Sequence, residues 1–388
     1  MQQLALGGTL MFMDSSRNAL LMLQQFGQSV WLNELPRQLL REFRLQKLME
    51  EDGVTGIAPF PLDLNTVLVH DSSYAREILS AQVGTDAAAA RETYEHMQVQ
   101  DTREAADAFR GMYARSEGRY GIVCFPSFSS PAADSSVILS EARRLWRMLD
   151  RSNVMMSVPA SPAGLTALRQ LLSDGISVNV TLLCTVKRYL EVLDCFAGAL
   201  EERLKAQRPL TDVTTLASFC VGPIDALVNA KLESIRNPPE MERAHAYLRK
   251  AGTGVACFAY QELRKFTASP RWRALAARGA KVQRLLWAQV NSQSAAEENL
   301  RCIDDLIGPE TISAISLATL GEYRHRGRPR PSLLEANLYE TAVLPSELSR
   351  FGIDLESIGD RAQSELLRDF AAVIDASVDQ ISARRAAL

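Results

Sequence analysis

Short apolar runs bounded by turn residues alternate along the chain with longer stretches in which apolar residues recur at three- and four-residue spacing. The short runs predict strands near Ser29–Leu32, Val54–Ala58, Gly121–Phe125, Asn153–Val158, Ser177–Leu183, Leu216–Val221, Lys281–Trp287 and Thr311–Ser316. The longer stretches predict helices, of which the clearest are Leu35–Glu51, Ser140–Leu149, Pro162–Leu172, Val186–Ala206 and Glu297–Ile307. Strands without polar alternation are typical of a parallel sheet covered on both faces, so the pattern predicts an α/β fold, a closed (β/α)8 barrel.

Two connections are longer than a single helix requires. Ser72–Tyr120 and Pro223–Arg278 are each expected to contain more than one helix, and the stretch after Pro331 predicts C-terminal helices packed on the barrel. The length alone would suggest two domains, but no low-complexity linker and no internal repeat beyond the strand–helix alternation divides the chain. We therefore expect residues 1–388 to form a single barrel domain.

The composition gives no electrostatic reason to expect a nucleic-acid or membrane partner. The net charge is only −3 and the sequence pI is near 6.0, which is too little positive charge to attract a polyanion. The expected ligand is a small neutral or weakly charged molecule. The sequence leaves a homo-oligomer open.

Two further features concern the compartment and metals. The apolar run Leu4–Met13 is short and lacks a basic leader, so it predicts neither a signal peptide nor a membrane span, and we expect a cytoplasmic protein. The six cysteines are scattered without a CxxC pair, which favours reduced thiols. The four histidines show no metal-ligand spacing with them, and we expect neither a metal nor a cofactor.

Several long runs carry a resemblance to a known family. They are Gln28–Asn33, Asn153–Pro162, Asp174–Leu183, Arg271–Arg284 and Leu306–Ile312. Together they resemble the transaldolase family, over nearly the whole chain from Phe26 to Leu355. The resemblance implies a barrel whose site lies at the carboxyl ends of the strands.

The family's catalytic positions are altered in this chain. Ser157 stands where the resemblance implies the lysine that forms a Schiff base, and a serine cannot form an imine. Asn33 replaces the family's aspartate and Pro126 its glutamate, so neither position can titrate. Ile57 replaces an asparagine. The joint loss predicts that Schiff-base chemistry is absent.

The positions that the resemblance implies for phosphate binding are altered as well. They read Pro223, Gln289 and Gln293 in this chain. Neutral amides hold a phosphate dianion poorly compared with charged donors. We expect a ligand that has lost its phosphate or is held elsewhere, with Gln289 as a candidate contact.

Other family positions are retained, namely Asn179, Thr181, Ser218 and Arg284. The alternative for each is a structural role, because strand-end polar groups often satisfy only the backbone. The candidate catalytic residues are Ser157, Thr181, Asn179 and Asn33. The candidate substrate contacts are Ser218, Arg284, Gln289, Ile57, Phe125, Pro126 and Met156, and with Leu285 the apolar members would form a neutral, ligand-accessible mouth.

Three features were weighed as replacements for the lost chemistry. Lys187 follows the fifth predicted strand and is a candidate amine, although a solvated lysine on the next helix is the favoured interpretation. Cys184 is a candidate nucleophile, but a buried structural thiol is more usual. The run Arg324–Arg330 would place cations on a loop at the functional face, where solvated arginines are the commoner meaning.

These observations lead to three functional hypotheses. The favoured one is a lysine-independent lyase, cyclase or transferase that acts on a non-phosphorylated, more apolar molecule in a specialised biosynthetic pathway. The second is an inactive pseudoenzyme that serves as a binding or scaffold protein. The third, an active transaldolase with a relocated lysine, is favoured least. Fold alone does not decide among them.

Overall fold

The structure is a computed structural model that describes residues 18–41, 43–80, 86–126, 133–288, 296–335 and 338–386. Its strands are β1 (Gln28–Leu32), β2 (Val54–Ile57), β3 (Ile122–Phe125), β4 (Val154–Pro159), β5 (Val178–Leu183), β6 (Thr215–Cys220), β7 (Arg284–Ala288) and β8 (Thr311–Ile315). Each strand pairs in parallel with the next, and β8 pairs with β1 to close the barrel. The predicted (β/α)8 barrel is confirmed.

The helices surround this barrel. They are α1 (Ala19–Gln25), α2 (Arg37–Leu40), α3 (Arg44–Glu51), α4 (Leu64–His70), α5 (Ser72–Ser80), α6 (Ala87–Arg115), α7 (Ser135–Leu149), α8 (Pro162–Asp174), α9 (Val186–Lys205), α10 (Val221–Glu233), α11 (Pro238–His245), α12 (Ala251–Ala268), α13 (Pro270–Ala276), α14 (Ala296–Asp305), α15 (Leu317–Arg326), α16 (Ser332–Glu335), α17 (Leu338–Arg350) and α18 (Leu355–Ala386). Both long connections contain more than one helix, as predicted. None of the helices in the described ranges combines the length and the apolar character needed to cross a membrane.

Several predicted elements have different bounds in the structure; α7, for example, begins at Ser135 rather than Ser140. The helix expected over Leu35–Glu51 is divided into α2 and α3, because Phe43 has a φ of 57°, a left-handed conformation that a right-handed helix cannot contain. The seventh strand begins at Arg284 rather than Lys281. Lys281 lies before it and donates its ammonium to the carbonyl of Glu117 at 3.0 Å.

The arginine-rich run lies at the opposite end of the barrel from the one predicted. Arg324 is in the last turn of α15, and its guanidinium binds the buried carboxylate of Asp52, just before β2. Arg330 pairs with Asp305 at the end of α14, at 3.4 Å. Because α15 starts at the carboxyl end of β8 and runs back along the barrel, its last turn returns to the amino end. These cations therefore cannot serve the functional face.

The longest helix, α18, lies across the carboxyl end of the barrel. It packs against α4, α5, α6, α10 and β5. Its contact with the barrel is close, since a Cβ added at Gly359 would collide with the backbone of Cys184 just beyond β5. The helix thus joins the rim of the barrel to the helices outside it.

Candidate functional site

A chain of three buried polar side chains connects β4, β5 and β6 inside the barrel. Asn179 donates its amide Nδ2 to the hydroxyl Oγ of Ser157 at 3.3 Å and accepts from the hydroxyl of Ser218 at 2.6 Å. The strand register brings them together, because Ser157 stands directly beside Asn179. The exposed fractions are 7%, 3% and 2% for Ser157, Asn179 and Ser218. Because the Ser157 hydroxyl only accepts in its hydrogen bond with Asn179, its own proton remains available for donation to a ligand.

These groups face a cavity of about 50 Å³ at the mouth of the barrel. Thr181 lines it as a fourth polar residue. The remaining walls are provided by Ala58, Pro59, Phe60, Pro126, Pro159, Leu182, Leu286, Ala288, Leu367, Phe370, Ala371 and Ile374. Ligand sites usually enclose about 300 to 1,000 Å³. The cavity is neutral as expected, but it is much too small for a sugar phosphate.

The small volume is explained by α18. Leu367, Phe370, Ala371 and Ile374 of this helix form the outer wall of the cavity. The ring of Phe370 meets that of Phe60 edge to face, with centroids 5.6 Å apart. The open access expected from the sequence is therefore absent, and the mouth is covered by a C-terminal helix.

Most of the apolar side chains predicted for the mouth face away from it. Successive strand residues point to opposite sides, so the neighbour of an inward-facing residue faces outward. Ser157 lines the cavity, and the fully buried Met156 therefore points toward the helices. Likewise Ala58 and Leu286 line the cavity in place of Ile57 and Leu285. Of the predicted apolar contacts Ile57, Phe125, Pro126 and Met156, the cavity includes only Pro126.

Asn33 holds the backbone at the end of β1. It is buried, its N–H donates to the carbonyl of Ile315 at 3.0 Å, and its own carbonyl accepts from Phe60 N–H at 3.2 Å. Asn33 is not among the residues that line the cavity. The catalytic role of its side chain stays a prediction.

Arg284 lies at the amino end of the barrel, far from the site expected. Its guanidinium donates to the hydroxyl of Ser29 at 2.6 Å and to the carbonyl of Thr311 at 3.2 Å, both at strand starts. Burial lowers the pKa of Arg284 to about 10. The predicted substrate contact is corrected to a structural role, because the first residue of a parallel strand cannot reach the carboxyl end.

The candidate replacement nucleophiles are poorly placed. Lys187 is exposed on the first turn of α9, and none of the seven lysines, all of them in described ranges, lines the cavity. Contact with Cys220, together with burial, raises the pKa of the Cys184 thiol well above its ordinary value. A thiol in this state is a weak nucleophile. Pro223 lies in the first turn of α10, and Gln289 and Gln293 fall outside the described residues.

A bulge in β5 was not predicted. The register with β6 shifts between Val180 and Leu183, and Leu182 adopts a φ of 63°. An extra residue in one strand changes the direction of its neighbours, and here both Thr181 and Leu182 line the cavity. The left-handed conformation is rare and strained for a leucine, and no local sequence pattern predicts it at this position.

Comparison with known proteins gives a consistent result. Residues 30–381 match the family described as transaldolase/fructose-6-phosphate aldolase. A transaldolase of Thiobacillus denitrificans is 34% identical over 92% of this chain and 98% of its own length. A transaldolase of Frankia alni is 31% identical over 91% and 94%, and transaldolase 2 of a Nostoc species is 32% identical over 78% and 80%.

These similarities contradict the function predicted from the sequence. A repurposed lyase, cyclase or transferase on an apolar molecule was the wrong conclusion, and so was a scaffold, because relatives that match over nearly their whole length are transaldolases. The error lay in giving a few substituted positions, Ser157 with Asn33, Pro126 and Ile57, more weight than the similarity of the rest of the chain. The resemblance to the transaldolase family is confirmed.

Proposed function

Because the chain belongs to the transaldolase/fructose-6-phosphate aldolase family, we propose that it has a transaldolase function and binds an open-chain ketose at the mouth of the barrel. The observation that carries this proposal is the match to the Thiobacillus transaldolase over 98% of that protein. The polar side chains of β4, β5 and β6 that line the cavity support it, since a sugar requires several hydrogen-bonding groups.

Each polar group at the mouth has a use with a ketose. The Ser157 hydroxyl can donate to the ketone oxygen, while Asn179 and Ser218 fix its orientation. Retro-aldol cleavage breaks the bond between the α and β carbons of the ketose: the β-hydroxyl loses its proton to water and leaves as an aldehyde, and the electron pair of the broken bond forms an enolate. The negative charge of the enolate rests on the former ketone oxygen, so a donor held there stabilises the transition state. One such donor typically contributes a factor of about 100 to 1,000 in rate. Ser157 thereby contributes a hydrogen bond where the resemblance implies an amine.

The test is a coupled assay with fructose 6-phosphate as donor and erythrose 4-phosphate as acceptor. We expect turnover by the wild type, and a loss of about 100-fold or more in kcat for Ser157→Ala because the donor to the ketone oxygen is removed. Ser177→Ala is the matched control. Its hydroxyl lies just before the other end of β5, where it accepts from Thr214 N–H at 3.1 Å, and activity should be unchanged.

Two results would contradict the proposal. One is the absence of turnover by the wild type under conditions in which an authentic transaldolase is active. The other is equal activity in the Ser157→Ala and Ser177→Ala variants, which would place the reaction away from the polar chain. Calorimetric titration with fructose 6-phosphate measures binding separately from turnover.

The proposed compartment is the cytoplasm. All six cysteines are free thiols, and Cys124, Cys184, Cys220 and Cys257 are buried. Unpaired cysteines are typical of proteins kept in a reducing compartment. This placement suits an enzyme of carbohydrate metabolism.

A further inference from the structure

Residues of α18 form the outer wall of the small cavity that the polar side chains line. Leu367 and Phe370 form the outer wall of a cavity of about 50 Å³, and Ser157, Asn179 and Ser218 line its base. A molecule larger than one or two waters would overlap with these side chains. A sugar therefore needs more room than the observed position of α18 leaves.

One polar side chain of α18 connects it directly to the strands of the site. Gln363 donates both hydrogens of its amide Nε2, one to the carbonyl of Ala160 at 2.9 Å and the other to that of Leu182 at 3.0 Å. Ala160 directly follows β4 and Leu182 belongs to β5. The amide thus bridges the strands that carry Ser157 and Asn179.

The carbonyl of Leu182 is a special acceptor because its residue is the strained member of the β5 bulge, with a φ of 63°. A residue in this conformation persists only where its surroundings hold it. The bulge lies between Asn179 and the end of the strand, next to Thr181. The hydrogen bond from Gln363 therefore helps fix the part of β5 that faces the cavity.

A second attachment lies on the far side of the mouth. The Ser377 hydroxyl donates to the carbonyl of Leu62 at 3.1 Å and accepts from Leu64 N–H at 3.1 Å. The segment 367–374, which covers the cavity, lies between this attachment and Gln363. Loss of the Gln363 hydrogen bonds would loosen the segment over the polar side chains, while the close contact at Gly359 and the Ser377 hydrogen bonds keep α18 on the barrel.

We propose that Gln363 is a positioning residue that latches α18 over the mouth and holds the β5 bulge, and that release of this latch admits the ligand. The proposal rests on the proposed function only for the identity of the ligand as a ketose. The closed helix and its latch stand on the contacts of Gln363. The two can therefore be tested separately.

The experiment measures access to position 157 without relying on activity. Ser157→Cys is introduced into the full-length chain, and N-ethylmaleimide labelling is followed by peptide-resolved mass spectrometry. Gln363→Glu is added in one variant and Gln380→Glu in a matched control. Both lose an amide donor on α18, but Gln380 bonds to Asn65, away from the cavity, at 2.8 Å.

We expect labelling at position 157 to be about tenfold faster or more with Gln363→Glu, because two hydrogen bonds are lost and a carboxylate faces two carbonyl oxygens. Gln380→Glu should not change the rate. The native Cys124, which is 1% exposed, serves as an internal control for global unfolding and should stay unlabelled. Equal rates at position 157 in all three proteins would overturn the latch, as would rapid labelling of the parent.

Two further results separate the alternatives. If Gln363→Glu also exposes Cys124, the comparison is repeated with Gln363→Leu, and an unchanged rate at position 157 in that variant overturns the latch. Millimolar fructose 6-phosphate should slow labelling in the Gln363→Glu background. Faster labelling without this protection would support the latch and contradict the ketose as ligand.

Discussion

The Ser157 hydroxyl occupies a space that has neither the room nor the charge for a lysine ammonium. The side chain is 7% exposed, and the cavity beside it measures about 50 Å³. No carboxylate is present among the described residues that line this cavity. The surroundings of position 157 are thus matched to a small neutral donor, and a change at this position alone should not recreate a Schiff-base site.

The corresponding prediction is that Ser157→Lys loses stability and forms no imine with a ketose. Overpacking and an unpaired buried amine should lower the free energy of unfolding by about 2 to 4 kcal/mol. Burial should also lower the pKa of the new amine. Urea denaturation measures the first effect, and borohydride reduction with fructose 6-phosphate reports any imine. An undiminished stability together with a borohydride-trapped imine at position 157 would show that the mouth retains the partners of a lysine.

At the scale of single elements, the C-terminus of helix α9 holds backbone strain that can be tested apart from the site. Gln207 follows the C-cap of α9, is exposed, and has a φ of 55°. The residue after a helix end is often a left-handed glycine, because glycine has no Cβ to clash there. Gln207 therefore occupies a position that a glycine would fit better.

We expect Gln207→Gly to raise the free energy of unfolding by about 1 kcal/mol, since the left-handed conformation costs a non-glycine residue about that much. Gln207→Ala is the control, because it removes the same side chain but keeps the Cβ. It should give no gain. Urea denaturation of both variants decides the matter, and equal stabilities would mean that the strain at this helix end is negligible.

The elements also show which parts of the structure the sequence could predict. The strands were found because their residues are buried on both faces, as in β1, where every residue from Gln28 to Leu32 is buried. The direction of side chains was harder, because one residue of register moves a side chain from the cavity to the helices, as with Met156 and Ser157. The bulge at Leu182 depends on tertiary contacts, including the one with Gln363, and a local pattern cannot contain these.

The position of α18 belongs to the same class of unpredicted feature. Its apolar residues Leu367, Phe370 and Ile374 follow the three- and four-residue spacing of an amphipathic helix, so a packed helix was foreseeable. The surface that α18 covers was not foreseeable, because the spacing identifies the apolar face of the helix but not the surface on which that face packs. Recognition of the family located the site, but the closed mouth became apparent only from the structure.

At the scale of the whole molecule, stability and ligand access oppose each other. The contacts of α18 with the mouth stabilise the fold, and the same contacts exclude a ligand. A protein that must open to bind spends part of the binding free energy on separating these surfaces. Weakening the cover should consequently lower stability and tighten ketose binding together.

Phe370→Ala tests this opposition. Removing a partly buried ring should lower the free energy of unfolding by about 2 to 3 kcal/mol, less than for a fully buried phenylalanine. It also removes the contact with Phe60 and enlarges the cavity, so we expect the Kd for fructose 6-phosphate to fall.

Phe351→Ala is the matched control, because Phe351 is also partly buried and contacts Tyr247, with centroids 6.2 Å apart, but does not line the cavity. Urea denaturation should show a loss of stability in both variants, whereas calorimetry should show tighter binding only for Phe370→Ala. Unchanged binding in that variant would mean that the ketose enters without displacing α18, because removing a ring that blocks entry should tighten binding.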